Sequence, residues 1–576
     1  MNLSEWGSYY AKNMNAVSNK KNFIQLKICI YDDERKCITE DFNNLHIQKM
    51  GHNDLKNGSY EISFSHDNFV FSLSFAMQEK GFVYNVKALT ESERYRFFAV
   101  IEFLWNKKGS VTYSGNRAVV KTDNKENDFL FLGDIDNETV LTTNKNGFLF
   151  KPNSEINVIC DLADDIDIYS AIEKAKKRYY RQNNLDQVKD ATVKNLCWNT
   201  VYDLPTKRFM TPVARSWCTG YFGSYILFCW DSFFGGLLYS AYDENLAYLQ
   251  IYNILDELNY RGMIANTNCQ IRKSYDRSHP PVGSFCCYKL YQKYENIEFL
   301  KNIFDRLYTW NRWWILARVK GELGLLSLGS DYSENSDILK RAKELQPDVV
   351  GELKGAKFES GMDNGTLYDE ASYDKIKGIM ELYDVGINSL FAMDCEYLAK
   401  IADILNKTEE YEILMYDYNR FKELINTHLW CEDEQIYLNK DFKGNFSKRM
   451  SSPNFYPLIA GVATEENARN MVEKHLLNED EFWGEFIIPN TSKKEREYCD
   501  DKYWRGKIWP PTNYLVYQGL VRYDLYKNEF FNKSRNMLVK GLDEFGRFGE
   551  NYNSQTGEPT DTPHYFWSGL LGFERE

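Results

Sequence analysis

Apolar and polar residues alternate along roughly the first 165 residues of the chain. In "SYEISFSHDNFVFSLSF", Tyr60, Ile62 and Phe64 fall on one face of an extended chain, and polar residues stand between them. Similar runs follow, among them "GFVYNVKAL" and "RFFAVIEFLW", separated by turns rich in Asn, Asp, Gly and Lys. Many short strands joined by such turns predict an antiparallel β-sandwich.

The hydrophobic period changes near residue 168. The segment "DIYSAIEKAKKRYYRQNNL" has the pattern of a charged helix, and we expect it to act as a connector. From about residue 190 the apolar spacing is three and four residues. In "GINSLFAMDCEYLAKIADIL" this spacing puts five apolar residues on one face of a helix, namely Ile387, Phe391, Leu398, Ala402 and Leu405.

Helix pairs over roughly 390 residues are too many for one simple bundle, whereas a closed ring of six helical hairpins, with about 65 residues per pair, fits this length. The predicted fold is therefore mixed and two-domain, with an N-terminal antiparallel β-sandwich followed by an (α/α)6 toroid. We expect the sandwich at residues 1–165, a helical linker at 166–190 and the toroid at 191–576.

The charge and cysteine content exclude several classes of partner. The chain carries 83 acidic and 70 basic residues, a formal net charge of −13. Nucleic acids and anionic membranes require a basic face, so neither is expected as a partner. The 12 cysteines contain no CxxC pair and the seven histidines lack metal-ligand spacing, which predicts reduced thiols, no metal and no cofactor. With no signal-peptide pattern and no apolar run of about 18 residues, we expect a cytoplasmic protein.

Five loop segments are unusually rich in aromatic, charged and glycine residues. Aromatic rings in polar loops offer flat surfaces on which a sugar ring stacks, and carboxylates accept hydrogen bonds from its hydroxyls. Such loops suit the walls of a pocket better than they suit simple connections. The segments are "FCWDSFFGG" (228–236), "SHPPVGSF" (278–285), "FESGMDNG" (358–365), "YWRGKIWPPTNY" (503–514) and "FGENYNSQTGEP" (548–559).

Glycoside hydrolysis needs two carboxyl groups, one to protonate the leaving oxygen and one to activate water or attack the sugar. Asp363 stands beside Met362 and close to Glu359, so apolar surroundings and a like charge are both available to keep it protonated. Glu550 lies in a polar loop that favours its ionised form. Since the chain has 83 acidic residues, such a pair alone is a weak signal.

The motifs together resemble those of helical-toroid inverting glycosidases, the trehalases and glycoside hydrolase family 63. "ESGMDNG" resembles their ESGxD element, "WDSFFGG" their WDxxF element, and "DKYWRGKIWPPTNYLVYQGL" the more specific YWRGxIWxxxNY block. "SHPPVG" is similar to an SQPP loop, with His279 in place of Gln. The order of the motifs over about 380 residues is closer to family 63, with its α-glucosidase and glycosylglycerate-hydrolase members, than to trehalase.

The resemblance implies Asp363 as the general acid and Glu550 as the general base of a single displacement with inversion. It implies that the two carboxyl groups lie roughly 6.5–9.5 Å apart, with the attacking water between them. The residues that it places around the sugar are Trp230, Asp231, Phe234, Pro281, Glu359, Gly361, Asn364, Trp504, Arg505, Trp509 and Trp567.

Competing interpretations of these residues remain open. Trp230 and Trp509 are alternatively core residues, and Arg505 alternatively belongs to a structural ion pair. Asp231 is alternatively the cap of a helix that begins at Ser232. Glu485 in "FWGEFIIP" is the alternative base.

The leading functional hypothesis is an exo-acting α-glucosidase that releases a terminal glucose from a small oligosaccharide or glucoside. A second is a glucosylglycerate or mannosylglycerate hydrolase or another α-mannosidase; a glycerate substrate requires a cation for its carboxylate, and "QIRKSYDRSHPP" offers Arg272, Lys273 and Arg277. An epimerase or lyase on the same toroid, or a non-hydrolytic sugar-binding protein, belongs to a different class, since a fold does not determine a function.

Overall fold

The structure is a computed structural model that describes residues 3–11, 13–40, 44–123, 125–136, 146–218, 223 and 225–573. The chain divides into two compact units. The first comprises Met1–Asp186, Val193–Thr211 and Cys218–Tyr225, and the second comprises Gln187–Thr192, Pro212–Trp217 and Ile226–Glu576.

The first unit is built from antiparallel strands, as the alternating pattern predicts. One sheet has the order β1-β2-β3-β8-β12 and the other the order β4-β5-β6-β7-β13-β11-β10-β9. The strands are β1 Trp6–Gly7, β2 Ala16–Asn19, β3 Ile24–Tyr31, β4 His46–Asp54, β5 Ser59–His66, β6 Phe69–Met77, β7 Phe82–Ala88, β8 Arg96–Phe103, β9 Ser110–Ser114, β10 Arg117–Lys121, β11 Glu126–Leu132, β12 Gly147–Leu149 and β13 Ile156–Cys160.

The core of this unit is made by the faces that the alternation predicts. Tyr60, Ile62 and Phe64 of β5 join Phe71 and Phe97 in one buried aromatic and aliphatic cluster drawn from both sheets. On the other face of the eight-stranded sheet, a smaller cluster joins strand residues to the apolar stripe of the first helix, residues 168–175. The helix predicted as a connector therefore covers a sheet.

The second unit is helical. The helices of the chain are α1 Ile168–Asn183, α2 Gln187–Asn199, α3 Cys229–Tyr239, α4 Glu244–Leu255, α5 Gly283–Tyr294, α6 Ile297–Arg318, α7 Asp337–Leu345, α8 Leu353–Glu359, α9 Val385–Ile404, α10 Thr408–His428, α11 Tyr456–Ala460, α12 Glu465–Met471, α13 Pro510–Tyr523 and α14 Lys527–Phe545. Short strands that pair into two-stranded antiparallel sheets lie between the helices: β14 Val201–Asp203, β15 Arg208–Met210, β16 Ile226–Phe228, β17 Thr267–Cys269, β18 Tyr373–Asp374, β19 Ile379–Met380, β20 Leu382–Tyr383, β21 Trp430–Cys431, β22 Ile436–Tyr437, β23 Lys440–Asp441, β24 Asn551–Tyr552 and β25 Pro559–Thr560.

The helices form the predicted toroid. In its inner ring α3 packs on α5, α5 on α9, α9 on α11 and α11 on α13. The 3-10 helix Phe566–Gly572 contacts both α13 and α3 and so closes the ring. Every residue of α3 is buried, as expected of a helix enclosed on all sides, whereas α10 and α14 bury only one side. Within the described residues, no helix combines the length and apolarity needed to cross a membrane.

Candidate active site

Three of the five segments singled out in the sequence lie at the beginnings of inner helices, whereas residues 358–365 include the end of α8 and residues 548–559 follow α14. Trp230 and Asp231 occupy the first turn of α3, and residues 278–282 lead directly into α5. Residues 503–509 lead into α13, which starts with two prolines, a residue type suited to the first helical positions. Helix α3 begins at Cys229, so Asp231 is its third residue. The alternative that Asp231 caps a helix beginning at Ser232 is therefore wrong.

Three carboxyl groups from distant parts of the sequence lie within electrostatic reach of one another. Burial raises the pKa of Asp363 to about 7; the Arg277 guanidinium opposes this rise and the charge of Glu550 adds to it. Burial also raises the pKa of Asp231 to about 7, against a hydrogen bond from Tyr565, and the charges of Glu550 and Asp363 add to it. Near neutral pH, Asp363 therefore holds a proton that it can donate.

Glu550 is fixed by donors on both its side chain and its backbone. The Tyr503 hydroxyl donates to Oε1 over 3.0 Å, and the Thr562 backbone N–H donates to Oε2 over 3.2 Å. The Trp567 indole donates to the Glu550 carbonyl over 2.7 Å. Burial raises the pKa of Glu550, and the hydrogen bonds from Thr562 and Tyr503 oppose that rise because they favour the carboxylate.

Tyr503 and Tyr565 are site residues that sequence reasoning missed. Tyr565 donates its hydroxyl to Asp231 Oδ1 over 2.8 Å, as Tyr503 does to Glu550. Tyr503 stands beside Trp504 in the segment 503–514, and Tyr565 stands two residues before Trp567. That proximity is the only sequence signal, because the chain contains 41 tyrosines.

Four tryptophans predicted to surround the sugar form one connected group. Trp504 stacks on Trp509 with ring centroids 3.5 Å apart, and Trp567 lies 5.7 Å from Trp509. Trp230 lies 6.4 Å from Trp504 and 6.3 Å from Trp567. All four are buried. Trp509 is fully enclosed, in agreement with the alternative that it is a core residue.

The turn that carries Asp363, residues 360–364, is fixed at both of its ends. Gly361 has φ +78°, and a Cβ at this position would lie 2.9 Å from the Trp230 ring, so a side chain would be both strained and obstructed. The Asn364 carboxamide accepts the Trp504 N–H over 2.9 Å and donates to the backbone carbonyl at position 502 over 3.0 Å. Asn364 thus holds the turn against the segment that leads into α13.

Glu359 is fully buried and surrounded by donors from the protein. Arg318 donates from Nε to Oε2 over 2.6 Å and from Nη2 to Oε1 over 2.8 Å. The backbone N–H groups of Ser278 and Gly329 donate to the same two oxygens over 2.9 and 2.6 Å. Both carboxylate oxygens therefore have two protein partners each, and the residue ties the Asp363 turn to the loop at 278.

The remaining predicted residues take several positions. Arg505 forms an ion pair with Asp369 through Nη2, at 2.6 and 2.7 Å, and its Nε donates to the Asn364 carbonyl. Phe234 is fully buried with its ring centroid 6.0 Å from that of Trp230, and Pro281 is buried. The alternative base, Glu485, is exposed.

His279, the departure from the SQPP motif, is a neutral buried side chain. Burial, aided by the charge of Arg277, lowers the pKa of His279 to about 3. Its ring centroid lies 5.5 Å from that of Trp230, and its Nδ1 has no hydrogen-bond partner among the described residues. The imidazole therefore contributes a polar, uncharged surface beside the tryptophans.

Taken together, these groups can carry out acid–base chemistry on a hydroxylated ligand. Asp363, whose pKa burial raises to about 7, has the properties of an acid, and Glu550, held by two donors, has those of a base. Asp231 adds a further buried carboxyl group that can form hydrogen bonds. Within the described residues, no group of three or more His, Cys, Asp or Glu is arranged to hold a metal ion.

Comparison with known families agrees with this chemistry. A family model described as "Mannosylglycerate hydrolase MGH1-like glycoside hydrolase domain" matches residues 224–568, more than half of the chain. The chain belongs to glycoside hydrolase family 63. The matched range of this family 63 enzyme contains both Asp363 and Glu550 and nearly all of the helical ring.

Relatives of the family 63 chain carry related names. It is 25% identical over 303 residues to a mannosylglycerate hydrolase of Rubrobacter radiotolerans, covering 47% of this chain and 67% of that protein. It is 26% identical to the mannosylglycerate hydrolases MGH1 and MGH2 of Selaginella moellendorffii, over 43% and 44% of this chain. The matched part spans only 55% and 57% of those two proteins.

Solved structures agree with the fold. A GH63 mannosylglycerate hydrolase from Thermus thermophilus in complex with glucose superposes with a TM-score of 0.53 at 18% identity, over 67% of this chain and 99% of that chain. A bacterial glucoamylase complexed with acarbose superposes with a TM-score of 0.52 at 11% identity, over 97% of this chain and 90% of that chain. The helical toroid of this family 63 chain is thus a known architecture.

Proposed function

We propose that this family 63 chain hydrolyses, with inversion, a small α-glycoside whose aglycone is anionic, of the glycosylglycerate type, and releases its terminal glucose or mannose. Asp363 protonates the glycosidic oxygen while Glu550 takes a proton from the water that attacks the opposite face of the sugar. The observation that carries the proposal is the pairing of a carboxyl group whose pKa burial raises to about 7 with a second carboxylate held by two donors.

The anionic aglycone is argued from the charges around Asp363. The general acid protonates the oxygen that leaves with the aglycone, so the aglycone lies on the side of Asp363. Arg277 and Lys354 both lower the pKa of Asp363, so their positive charges reach this side. They flank the Phe358 ring, with the Arg277 guanidinium carbon 5.1 Å and Lys354 Nζ 5.9 Å from its centroid. Two cations beside the leaving group favour a carboxylate in the aglycone.

The names of the relatives support the same substrate class. Three of them are called mannosylglycerate hydrolases, and glycerate is a small carboxylate. Asp231, whose carboxyl accepts a hydrogen bond from Tyr565, is proposed to bind the sugar hydroxyls, and the tryptophan group to enclose the ring.

A neutral α-glucoside is the second candidate. The observation that favours it is that Arg277 is already paired, because its Nη1 donates to both carboxylate oxygens of buried Asp276 at 2.9 and 2.8 Å. Only Lys354, of the two cations that flank Phe358, is then left without a bond to Asp276. Because Lys354 is exposed, solvent and salt screen its attraction for a carboxylate.

The test is an NMR time course of the purified protein with glucosylglycerate, mannosylglycerate, glucosylglycerol, kojibiose, nigerose, maltose, isomaltose and trehalose. The Asp363→Asn and Glu550→Gln variants are measured beside it. We expect early release of the β-anomer from a glycosylglycerate and a loss of at least about a hundredfold in kcat in both variants. Early release of the α-anomer would rule out inversion, and no release from any compound would point to a non-hydrolytic sugar-binding role.

A second arm isolates the aglycone charge. Glucosylglycerol differs from glucosylglycerate in lacking the carboxylate, so the ratio of kcat/KM for the two measures its recognition. Lys354→Met should reduce this ratio about threefold to tenfold, because one of the two cations is removed. Lys340→Met, which removes an exposed lysine of α7, is the matched control and should leave the ratio unchanged. An equal loss on both substrates would contradict a role in carboxylate recognition.

A further inference from the structure

One buried asparagine outside every recognised motif joins three segments of the candidate active site. Asn266 is 5% exposed and lies just before β17. Its carbonyl accepts the N–H of Cys229, its N–H donates to the carbonyl of Arg277, and its Nδ2 donates to the carbonyl of Phe358, each over 3.1 Å. These partners open α3, precede the loop at 278 and precede the Asp363 turn, respectively.

Two of the three bonds are made by the backbone of Asn266. Cys229 is the first residue of α3, and its N–H is one of the helix-end donors that has no partner inside the helix. The Asn266 carbonyl satisfies that donor one residue before Trp230. A substitution by alanine or aspartate retains the backbone N–H and carbonyl, so only the bond to Phe358 depends on the carboxamide.

The carboxamide bond acts on the Asp363 turn. The Phe358 carbonyl accepts both the Asn266 Nδ2 and the N–H of Gly361, which closes the turn that leads to Asp363. The orientation of the carboxamide is itself fixed, because the Thr267 hydroxyl donates to Asn266 Oδ1 over 2.7 Å. The start of the turn is therefore held from the side of β17.

We infer that Asn266 is a positioning residue for Asp363, and this inference rests on the proposed function of Asp363 as the general acid. The side chain holds the Phe358 carbonyl, that carbonyl closes the turn through Gly361, and the turn aims the carboxyl group at the leaving oxygen. Misplacement of a catalytic group by about 1 Å lowers the rate about a hundredfold. Loss of the carboxamide should therefore lower kcat and leave substrate binding almost intact.

The test uses two leaving groups. A glycoside of glycerate needs its leaving oxygen protonated, whereas an α-glycosyl fluoride releases fluoride without an acid: the C1–F bond breaks, water oxygen bonds to C1 and Glu550 takes the water proton. α-Glucosyl and α-mannosyl fluoride are compared with glucosylglycerate and mannosylglycerate. The proteins are the wild type, Asn266→Ala, Asn266→Asp and Asp363→Asn.

For Asn266→Ala we expect kcat on the glycosylglycerate to fall about tenfold to a hundredfold, KM to change by less than about threefold, and kcat on the fluoride to stay within about threefold of wild type. Asn266→Asp should be at least as damaging, since it points an oxygen at the Phe358 carbonyl. Asn268→Ala is the matched control. Asn268 is also buried and donates Nδ2 to the backbone carbonyl of Ala265 over 2.7 Å, away from the Asp363 turn.

Two results overturn the inference, and they are distinguishable. Equal losses on glycosylglycerate and fluoride in Asn266→Ala would show that the residue supports the whole site and does not position the acid. Retention of full glycosylglycerate activity by Asp363→Asn would remove the general-acid assignment itself, and the positioning role with it. If Asp363→Asn loses activity only on the glycosylglycerate and Asn266→Ala follows the same pattern to a smaller degree, the inference holds.

Discussion

At the scale of single residues, the surroundings of each carboxyl group decide its role. Glu359 and Asp363 stand four residues apart, and in the sequence only the neighbouring Met362 and the motif resemblance favour Asp363 as the acid. Glu359 is occupied by Arg318 and two backbone N–H groups, whereas Asp363 is left with a pKa raised by burial to about 7. Burial raises the pKa of Glu359 as well, against the charge and hydrogen bonds of Arg318, but both of its oxygens are occupied by protein donors. Asp363 is therefore the better placed of the two to exchange a proton with a ligand.

The raised pKa of Asp363 makes the pH dependence of activity a test at this scale. The proposed mechanism requires Asp363 protonated and Glu550 ionised, so we expect kcat/KM to rise as Glu550 ionises and to fall as the pH passes through about 7. Burial also raises the pKa of Asp231 to about 7, and Asp231 and Asp363 interact. The basic limb therefore reports the joint titration of Asp231 and Asp363 and not of Asp363 alone.

One variant tests the direction in which the basic limb of the kcat/KM–pH curve moves. Lys354 lowers the pKa of Asp363, so Lys354→Met should raise that pKa and move the basic limb of kcat/KM to higher pH. The measurement uses glucosylglycerol, so that carboxylate recognition does not enter. Lys340→Met should leave the limb in place, and a shift of the Lys354→Met limb to lower pH would contradict the assignment.

At the scale of elements, a buried ion pair joins the ends of two helices. Arg318 is the last residue of α6 and Glu359 the last residue of α8, and both are fully buried. A charge left alone in such a place is destabilising, whereas the complete pair contributes little net stability. The pair therefore specifies where α8 ends, and with it where the Asp363 turn begins.

Removal of one partner tests this pair. Arg318→Met should lower the free energy of unfolding by about 3–5 kcal/mol, because Glu359 then remains buried without its cation. The double variant Arg318→Met/Glu359→Met should lose less than the sum of the single losses. Urea unfolding followed by circular dichroism measures both.

A more exposed pair is the control. Arg522 and Glu396 form an ion pair at 2.6 Å with side chains 31% and 12% exposed, so Arg522→Met should cost about 1 kcal/mol or less. If Arg318→Met were no more destabilising than Arg522→Met, the buried pair would not determine the end of α8.

At the scale of the whole molecule, the ring closes through a segment that the sequence does not reveal as an inner element. Phe566–Gly572 is a 3-10 helix that contacts both α13 and α3. Phe566 is fully buried, and its ring lies 3.1 Å from where a Cβ on Gly235 of α3 would stand. The first glycine of "WDSFFGG", Gly235, thus leaves room for Phe566 to pack against α3.

Phe566→Ala should lower the free energy of unfolding by about 3–5 kcal/mol, since it leaves a cavity between the closing segment and α3. Phe545→Ala at the end of α14 is the control; that ring is 38% exposed, and its loss should cost about 0.5 kcal/mol or less. Thermal unfolding followed by tryptophan fluorescence compares them. Equal stabilities would mean that the ring does not depend on this contact.

The sequence by itself determined the classes of structure in this protein. The alternation around Tyr60, Ile62 and Phe64 predicted the strands and their buried face, because side chains of a strand point to opposite sides with a period of two. The three-and-four spacing predicted helices, and the motifs around Asp363 and Glu550 indicated family 63, which the family comparison confirmed. The periodicities are local signals, and the motifs are short sequences that follow one another in a fixed order, so both can be found without knowing which residues meet in space.

Only the tertiary structure decided which residues surround which carboxyl group. The partners of Glu550 are at 503 and 562, that of Asp231 is at 565, and those of Glu359 are at 278, 318 and 329. Asn266 joins three segments with no motif to mark it. These contacts form because the ring brings segments from distant parts of the chain together, and contacts across a ring leave no period in the sequence.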